Sequence, residues 1–143
     1  MIYISAEKVK KEGETIALIF GVNYKVYTLN LETMKSGTVD NVSYEREGHS
    51  SSTINNHVYL FGGCVDVDNY NDLQMFDIDT DTLVEIEAAG EPPCSRAYHG
   101  NVVIRNILYV FGGYYEDYEE EDDEMYGEEF YYNDIHSFNP VSK

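Results

Sequence analysis

The stretch Tyr44–Gly63, YEREGHSSSTINNHVYLFGG, returns at Cys94–Gly113 as CSRAYHGNVVIRNILYVFGG. The two segments lie 50 residues apart and align without a gap. Eight of the twenty positions are identical: Arg46/Arg96, His49/His99, Ile54/Ile104, Asn56/Asn106, Tyr59/Tyr109, Phe61/Phe111, Gly62/Gly112 and Gly63/Gly113. Self-similarity at a fixed period of this size marks a chain assembled from copies of one supersecondary unit, each burying its apolar surface against the next.

The copies continue beyond the double glycine. NDLQMFDIDTDT (Asn71–Thr82) matches NDIHSFNPVSK (Asn133–Lys143), now at an offset of 62. About twelve extra residues therefore entered the second copy between Gly-Gly and Asn-Asp. They contain the acidic run Glu116–Glu129, with ten Asp or Glu and no Lys or Arg. A weaker third copy lies upstream: IALIFG (Ile16–Gly21) resembles VYLFGG, VYTLNLETMKSGTVD (Val26–Asp40) resembles LQMFDIDTDTLVEIE, and Val22 holds the second glycine's place.

Each copy reads as short strands. In HVYLF, His57, Tyr59 and Phe61 alternate with Val58 and Leu60; in ILYVF, Ile107, Tyr109 and Phe111 alternate with Leu108 and Val110. Both faces are largely apolar, which predicts strands buried on both sides, in sheets stacked between other sheets. FDIDTDTL and LNLETMKS read as strand, polar turn, strand. The double glycine predicts positive φ or a close backbone approach at the strand end. No segment sustains a 3.6-residue period, and a turn of helix is expected only within Ser5–Glu14.

Composition sets outer limits. A chain of 143 residues with 43% hydrophobic residues supports one core-bearing domain, and no linker divides it. The net charge is −18; the ten acids of the run leave −8 for the rest. Charge of this sign repels phosphate backbones, so no nucleic-acid partner is expected. No apolar run approaches the roughly 18 residues of a membrane span, and the start MIYISAEKVKKEGE lacks the pattern of a signal peptide, so a cytoplasmic location is expected. Cys64 and Cys94 have no CxxC spacing and read as reduced thiols.

The period near 50, the Arg-x-x-His, Tyr-x-Phe-Gly-Gly, Asn-Asp-Leu/Ile and Phe-Asp/Asn elements in order, and four short strands per unit together resemble the kelch repeat. The resemblance covers residues 44–143 well and 14–43 loosely. It implies an all-β fold: a partial β-propeller of about three four-stranded antiparallel blades, the last incomplete, in a single domain 1–143 with units near 1–43, 44–93 and 94–143. One family feature is missing. The Trp expected seven residues past the Phe of the third strand is Leu83 in the middle unit and Ser36 in the first, and the last unit stops two residues before it. Propellers close with about 4–8 blades. Three blades therefore imply a piece of a longer protein, a pair of copies closing a six-bladed ring, or an open arc with the strand IYIS covering an edge.

The site residues follow from the same pattern. His49, Tyr59, Gly62, Gly63, His99, Tyr109, Gly112 and Gly113 are structural repeat positions. No HxxxH, HExxH, CxxC or GxSxG occurs, so no catalytic, cofactor or metal site is expected. DIDTDT (Asp77, Asp79, Asp81) begins like a calcium loop, but Thr82 replaces its glycine and Ala88 its bidentate Glu, so it reads as a hairpin turn. The acidic run reads as a solvated loop: adjacent like charges in water repel by about 0.6 kcal/mol per pair, and ordering costs about 1–2 kcal/mol per residue. Tyrosines interleaved with the acids add a docking role toward a basic partner. In a four-stranded meander the loop joining strands two and three shares an end with the loop entering strand one, so the run should lie beside Arg46 and Arg96. The resemblance makes that end a peptide-binding face. The expected function is a non-catalytic protein–protein interaction module using Arg46, Arg96, Tyr115, Glu116, Asp117, Tyr118, Glu119 and Tyr126, with self-association to complete the propeller as a further option. The alternative is a non-catalytic fragment of a propeller enzyme of the galactose-oxidase type.

Overall fold

The computed structural model describes residues 4–121 and 124–141; the side chains of Val22 and of residues 118–121 and 124–126 lie outside that description. Among the described residues there are strands and turns and no helix. Blade 1 is a meander of β1 (Ser5–Lys11), β2 (Glu14–Val22), β3 (Lys25–Asn30) and β4 (Ser36–Thr38). Blade 2 begins with β5 (Ser50–Ile54) and β6 (His57–Phe61). A small hairpin, β7 (Cys64–Val65) and β8 (Asp68–Asn69), follows. β9 (Leu73–Asp77) and β10 (Thr82–Glu85) then complete a four-stranded sheet in the order β5-β6-β9-β10. Blade 3 repeats the plan with β11 (Gly100–Ile104), β12 (Ile107–Phe111), a long hairpin of β13 (Tyr114–Glu121) and β14 (Glu124–Tyr131), and β15 (Ile135–Phe138). Its sheet is β11-β12-β15, three-stranded among the described residues. This is the architecture of a partial propeller, with the middle blade packed on both sides.

The helical turn expected in Ser5–Glu14 is not there. Ser5–Lys11 is an edge strand, registered from Ser5 opposite Phe20 to Lys11 opposite Glu14. The connection is Glu12-Gly13, with φ of 50° and 84°, the positive pair of a tight hairpin turn. Ala, Glu and Lys favour helix locally, but pairing and packing override so weak a preference. Val9 is buried in the core, and the Glu7 carboxylate accepts from Ser51 Oγ (2.8 Å) and Thr53 Oγ1 (2.7 Å) of β5. The first strands of successive blades thus lie side by side, β1 along β5 and β5 along β11. Asn101 Nδ2 donates to Ser51 O at 2.6 Å across the second of these seams.

Two apolar layers separate the blades. Between blades 1 and 2 lie Leu18, Phe20, Val26, Tyr44, Val58, Leu60, Phe76 and Ile78, with Leu83 packed against them. Between blades 2 and 3 lie Ile54, Tyr59, Phe61, Leu73, Leu108 and Val110. Strand β6 therefore divides as its alternation predicts, Val58 and Leu60 into the first layer, Tyr59 and Phe61 into the second. Each large side chain so buried contributes about 1.5–3 kcal/mol. Leu83, standing where the family has Trp, still faces the first layer. The polar turns also repeat: Asn30 Oδ1 accepts from the amides of Glu32 and Thr33, and Asp77 Oδ1 from those of Asp79 and Thr80.

Two expectations are corrected. Strand β12 is covered on one side among the described residues: Leu108 and Val110 face blade 2, while Phe111 on the other side is exposed. The acidic insertion is not an irregular loop. It is a hairpin whose ladder runs from Tyr114 opposite Tyr131 to Glu121 opposite Glu124. Backbone hydrogen bonds along that ladder, together with the cross-strand aromatic pairs Tyr114/Tyr131 and Tyr115/Phe130, oppose the repulsion of the acids.

Candidate interaction face

The loops that enter each blade and the hairpins that join its second and third strands meet at one end. Isolated backbone bridges record the meeting: Glu47 with Cys64 in blade 2, Ala97 with Tyr114 in blade 3. The acidic hairpin thus springs from the same end as Arg46 and Arg96, as the meander requires.

Both arginines form the same lock beneath that end. Arg96 reaches Asp134 with two hydrogen bonds, Nη1 to Oδ1 at 2.6 Å and Nη2 to Oδ2 at 2.9 Å. It also donates to Gly112 O (3.0 Å) and Cys94 O (3.1 Å), and its guanidinium lies 4.2 Å from the Tyr132 ring centroid. Arg46 makes the same bidentate pair with Asp72, donates to Gly62 O at 3.2 Å and sits 4.0 Å from the Tyr70 ring centroid. Planar two-point pairing of this kind is what guanidinium does better than ammonium. Arg96 is 0% exposed. The sequence reading put the two arginines on a partner-facing surface; their donors are turned inward to the blade instead. Arg96's hydrogen bonds hold the Asp134 carboxyl well below the usual range. At Asp72 burial pushes upward, but the bonds from Arg46 and Gln74 outweigh it and the carboxyl is held low.

Sequence reasoning missed the acidic half of this lock. The signal was present: Tyr-Asn-Asp stands at both Tyr70–Asp72 and Tyr132–Asp134, so the stacking tyrosine and the paired aspartate recur with the arginine.

The repeat histidines join blades. His49 Nδ1 is 2.9 Å from Arg46 O and its Nε2 is 2.6 Å from Ser5 Oγ of blade 1. A carbonyl only accepts, so Nδ1 carries the proton and Nε2 accepts from the serine hydroxyl. His99 Nε2 meets Ser50 Oγ of blade 2 at 2.8 Å. Burial, reinforced by the charges of Arg96 and His49, pushes His99 down to about 4. Burial likewise lowers His49.

The double glycine has two separate tasks. Gly62 (φ +62°) faces the next blade: a Cβ there would lie 2.6 Å from Arg96 O. Gly63 (φ +89°) faces its own blade, where a Cβ would lie 2.7 Å from Glu47 O. This closeness lets the entering segment of blade 3 bond along blade 2. Gly63 N donates to Arg96 O (2.8 Å), Arg96 N to Tyr70 O (3.0 Å) and Tyr98 N to Gly48 O (2.7 Å). Tyr59 is buried in the second apolar layer; its counterpart Tyr109 is half-buried on blade 3's outer side.

Above these anchors the hairpin presents aromatics and carboxylates together. Tyr98 stacks on Tyr114 (centroids 5.4 Å apart, planes 7° apart), and Tyr114 in turn neighbours Tyr131 at 6.0 Å. Tyr115 and Glu116 are half-buried and Asp117 is exposed. Asn69 Nδ2 donates to Glu116 O at 3.0 Å, tying the blade 2 hairpin to that of blade 3. The backbone pairing continues through Tyr118, Glu119 and Tyr126, whose side chains lie outside the described residues. Among the described residues no group of three or more His, Cys, Asp or Glu is placed to hold a metal ion.

Blades built on this repeated lock define a propeller of the kelch type, and sequence comparison agrees. The KLHDC2/KLHL20/DRC7 Kelch-repeats domain family matches residues 12–143, and the chain belongs to the kelch-repeat family. Similar proteins include the Rab9 effector protein with kelch motifs of Mus musculus, 32% identical over 112 residues, covering 71% of this chain and 30% of that protein. Kelch domain-containing protein 3 of Homo sapiens is 38% identical over 74 residues, 51% of this chain and 19% of that protein. The leucine-zipper-like transcriptional regulator 1 homolog of Drosophila melanogaster is 28% identical over 100 residues, 66% of this chain and 10% of that protein. The chain thus spans between a tenth and under a third of these relatives.

Proposed function

We propose that the chain is a non-catalytic protein–protein interaction module of the cytoplasm, binding a partner through the loops of one propeller face, with the hairpin Tyr114–Tyr131 docking a basic segment of that partner. The observation that carries this reading is the cross-strand pattern of the hairpin. Glu116 stands opposite Glu129 and Asp117 opposite Glu128. Like charges directly opposite destabilise a ladder, and a cationic partner removes that repulsion. The pairs Tyr115–Phe130 and Tyr114–Tyr131 add contact area and ring faces for cations beside the carboxylates. In this reading Tyr115, Glu116, Asp117, Tyr118, Glu119 and Tyr126 meet the partner, and Arg46 and Arg96 hold the platform beneath them. An effector and a regulator among the similar proteins are in keeping with a binding role. A second partner is the chain itself, through the apolar outer face of blade 3.

The test is fluorescence anisotropy with a labelled Lys/Arg-rich dodecapeptide and an acidic one of the same length, at low and high salt. Binding of the basic peptide alone, weakening as salt screens it and lost on deletion of Glu116–Glu129, is the expected result. Equal affinity with and without the hairpin sinks the docking reading. Tyr115→Ser with Phe130→Ser separates aromatic contact from charge: affinity should fall while the salt slope stays.

A further inference from the structure

Blade 3 carries an uncovered copy of a buried surface. In blade 2, Ile54, Phe61 and Leu73 are 2%, 4% and 8% exposed, covered by blade 3. Their repeat counterparts Ile104, Phe111 and Ile135 are 54%, 57% and 66% exposed. The backbone tells the same story. Gly112 keeps the conformation of Gly62 (φ +67° against +62°), yet a Cβ at Gly112 would meet nothing nearer than Tyr132 O at 3.4 Å, where at Gly62 it would meet Arg96 O at 2.6 Å. Blade 3 therefore has the residues and the conformation that, one blade earlier, make room for a neighbour.

What covers the blade 2 surface is the opposite face of blade 3, with Leu108, Val110, Val103 and Phe138. The chain holds one more face of that second kind, on the outer side of blade 1. Register puts Ala17 opposite Leu29 and Ile19 opposite Tyr27, alternating with Leu18 and Phe20, which face blade 2. With Phe20 at the position of Phe61 and Gly21 at that of Gly62, Ile19 corresponds to Leu60 and Val110. Leu29 corresponds to Phe76, since Asn30 and Asp77 cap the same turn. Charge fits as well. The five Lys of the first 43 residues are balanced by five Asp and Glu, but Lys8 and Lys25 share the outer side of blade 1 with these apolar residues. The acidic hairpin of β13 and β14 belongs to blade 3.

We propose that a second copy of this chain covers the outer face of blade 3 with the outer face of its own blade 1, and receives the same contact in return. One two-fold axis then satisfies both interfaces at once, and three blades plus three make a ring of a size that propellers adopt. This rests on the self-association proposed above and names its surfaces; it is independent of the basic partner.

Light scattering on the eluting chain tests it. The wild type should have twice the 16.4 kDa chain mass at micromolar concentration. Phe111→Glu and Ile19→Lys should each give a monomer with unchanged far-ultraviolet circular dichroism. Mixing the two variants should restore a dimer, because one interface then sets Glu against Lys and the other is wild type. A wild-type monomer overturns the proposal. So does a dimer indifferent to Phe111→Glu, a dimer broken by Phe111→Glu but not by Ile19→Lys, or a mixture that stays monomeric. Phe111→Glu leaves the acidic hairpin whole and should bind the basic dodecapeptide as before, so either reading can fail alone.

Discussion

The two glycines of each repeat give four alanine substitutions whose costs should differ in a set pattern. The measurement belongs in the Phe111→Glu background, where the outer face of blade 3 is uncovered. At Gly112, alanine meets only conformational strain: a left-handed residue with a Cβ costs roughly 1–2 kcal/mol, offset by about 0.4–1 kcal/mol from the stiffer unfolded chain. The net loss should be about 1 kcal/mol. At Gly62 the same strain applies at nearly the same φ, but the new methyl lies 2.6 Å from Arg96 O. That oxygen is backbone and accepts from Gly63 N at 2.8 Å. Giving way means moving the entry of blade 3 and with it the buried Arg96, an overpacking cost of about 2 kcal/mol. Gly62→Ala should therefore lose about 3 kcal/mol, and the difference between the two sites should lower the melting temperature by roughly 8 °C more, at about 4 °C per kcal/mol. Gly63 and Gly113 serve as the matched control. Each faces its own blade, with Cβ distances of 2.7 Å to Glu47 O and 2.8 Å to Ala97 O, so their alanine variants should lose similar amounts. Thermal melts followed by circular dichroism, checked by urea titration, read all four. Equal losses at Gly62 and Gly112 would refute the claim that the first glycine serves the interface between blades.

Arg96→Met keeps the length of the side chain and removes its donors; urea unfolding should show a loss of about 3 kcal/mol, at the low end for a broken buried pair because Asp134 is partly exposed and rehydrates. Asp134→Asn should lose at least as much as Arg96→Met, since it leaves the fully buried guanidinium without its counter-charge. His99 predicts the acid behaviour. Its proton is bound more weakly folded, at about 4, than unfolded, near 6.5. The unfolded state therefore takes up the extra proton, and stability is lost as pH falls from about 6.5 through 4. The loss attributable to this group is about 3 kcal/mol. His99→Gln should flatten that part of the stability–pH profile, and a profile as steep as the wild type's would show that other groups carry it.

The repeat was legible because it is written in residues with one structural use. The 50-residue offset, the alternation of HVYLF and the Gly-Gly pair all record packing between blades, which recurs in each copy. Blade 1 was harder to read at its edge: SAEKVKK has the composition of a helix, and only pairing with Glu14–Phe20 and the contact of Glu7 with Ser51 and Thr53 make it a strand. The arginine locks were half legible. Arg46 and Arg96 were visible as repeat positions, but a side chain's direction is not written in its spacing, and the turn inward depends on Asp72 and Asp134, 26 and 38 residues away. The acids of the insertion argued for a solvated loop because charge is counted residue by residue. The ladder that opposes it is a property of pairs, Tyr114 with Tyr131 and Tyr115 with Phe130.

The comparison of the two hairpins explains how one blade can carry such an insertion. In blade 2 the segment between the anchors is six residues, Cys64–Asn69; in blade 3 it is Tyr114–Tyr131. The anchors are the same. The bridge Glu47–Cys64 becomes Ala97–Tyr114, and the hydrogen bond from Tyr70 N to Gly63 O becomes Tyr132 N to Gly113 O, both at 2.9 Å. The stack of Tyr70 on Arg46 becomes that of Tyr132 on Arg96. A hairpin held at its base by a bridge, an amide bond and a buried guanidinium can lengthen without moving β12 or β15, because none of those contacts depends on what lies beyond it. Exchanging Tyr114–Tyr131 for Cys64–Asn69 should accordingly leave the melting temperature within a few degrees of wild type while abolishing binding of the basic dodecapeptide. A collapse of stability in that chimera would mean that the acidic hairpin supports the blade, and that its charge cannot be assigned to recognition.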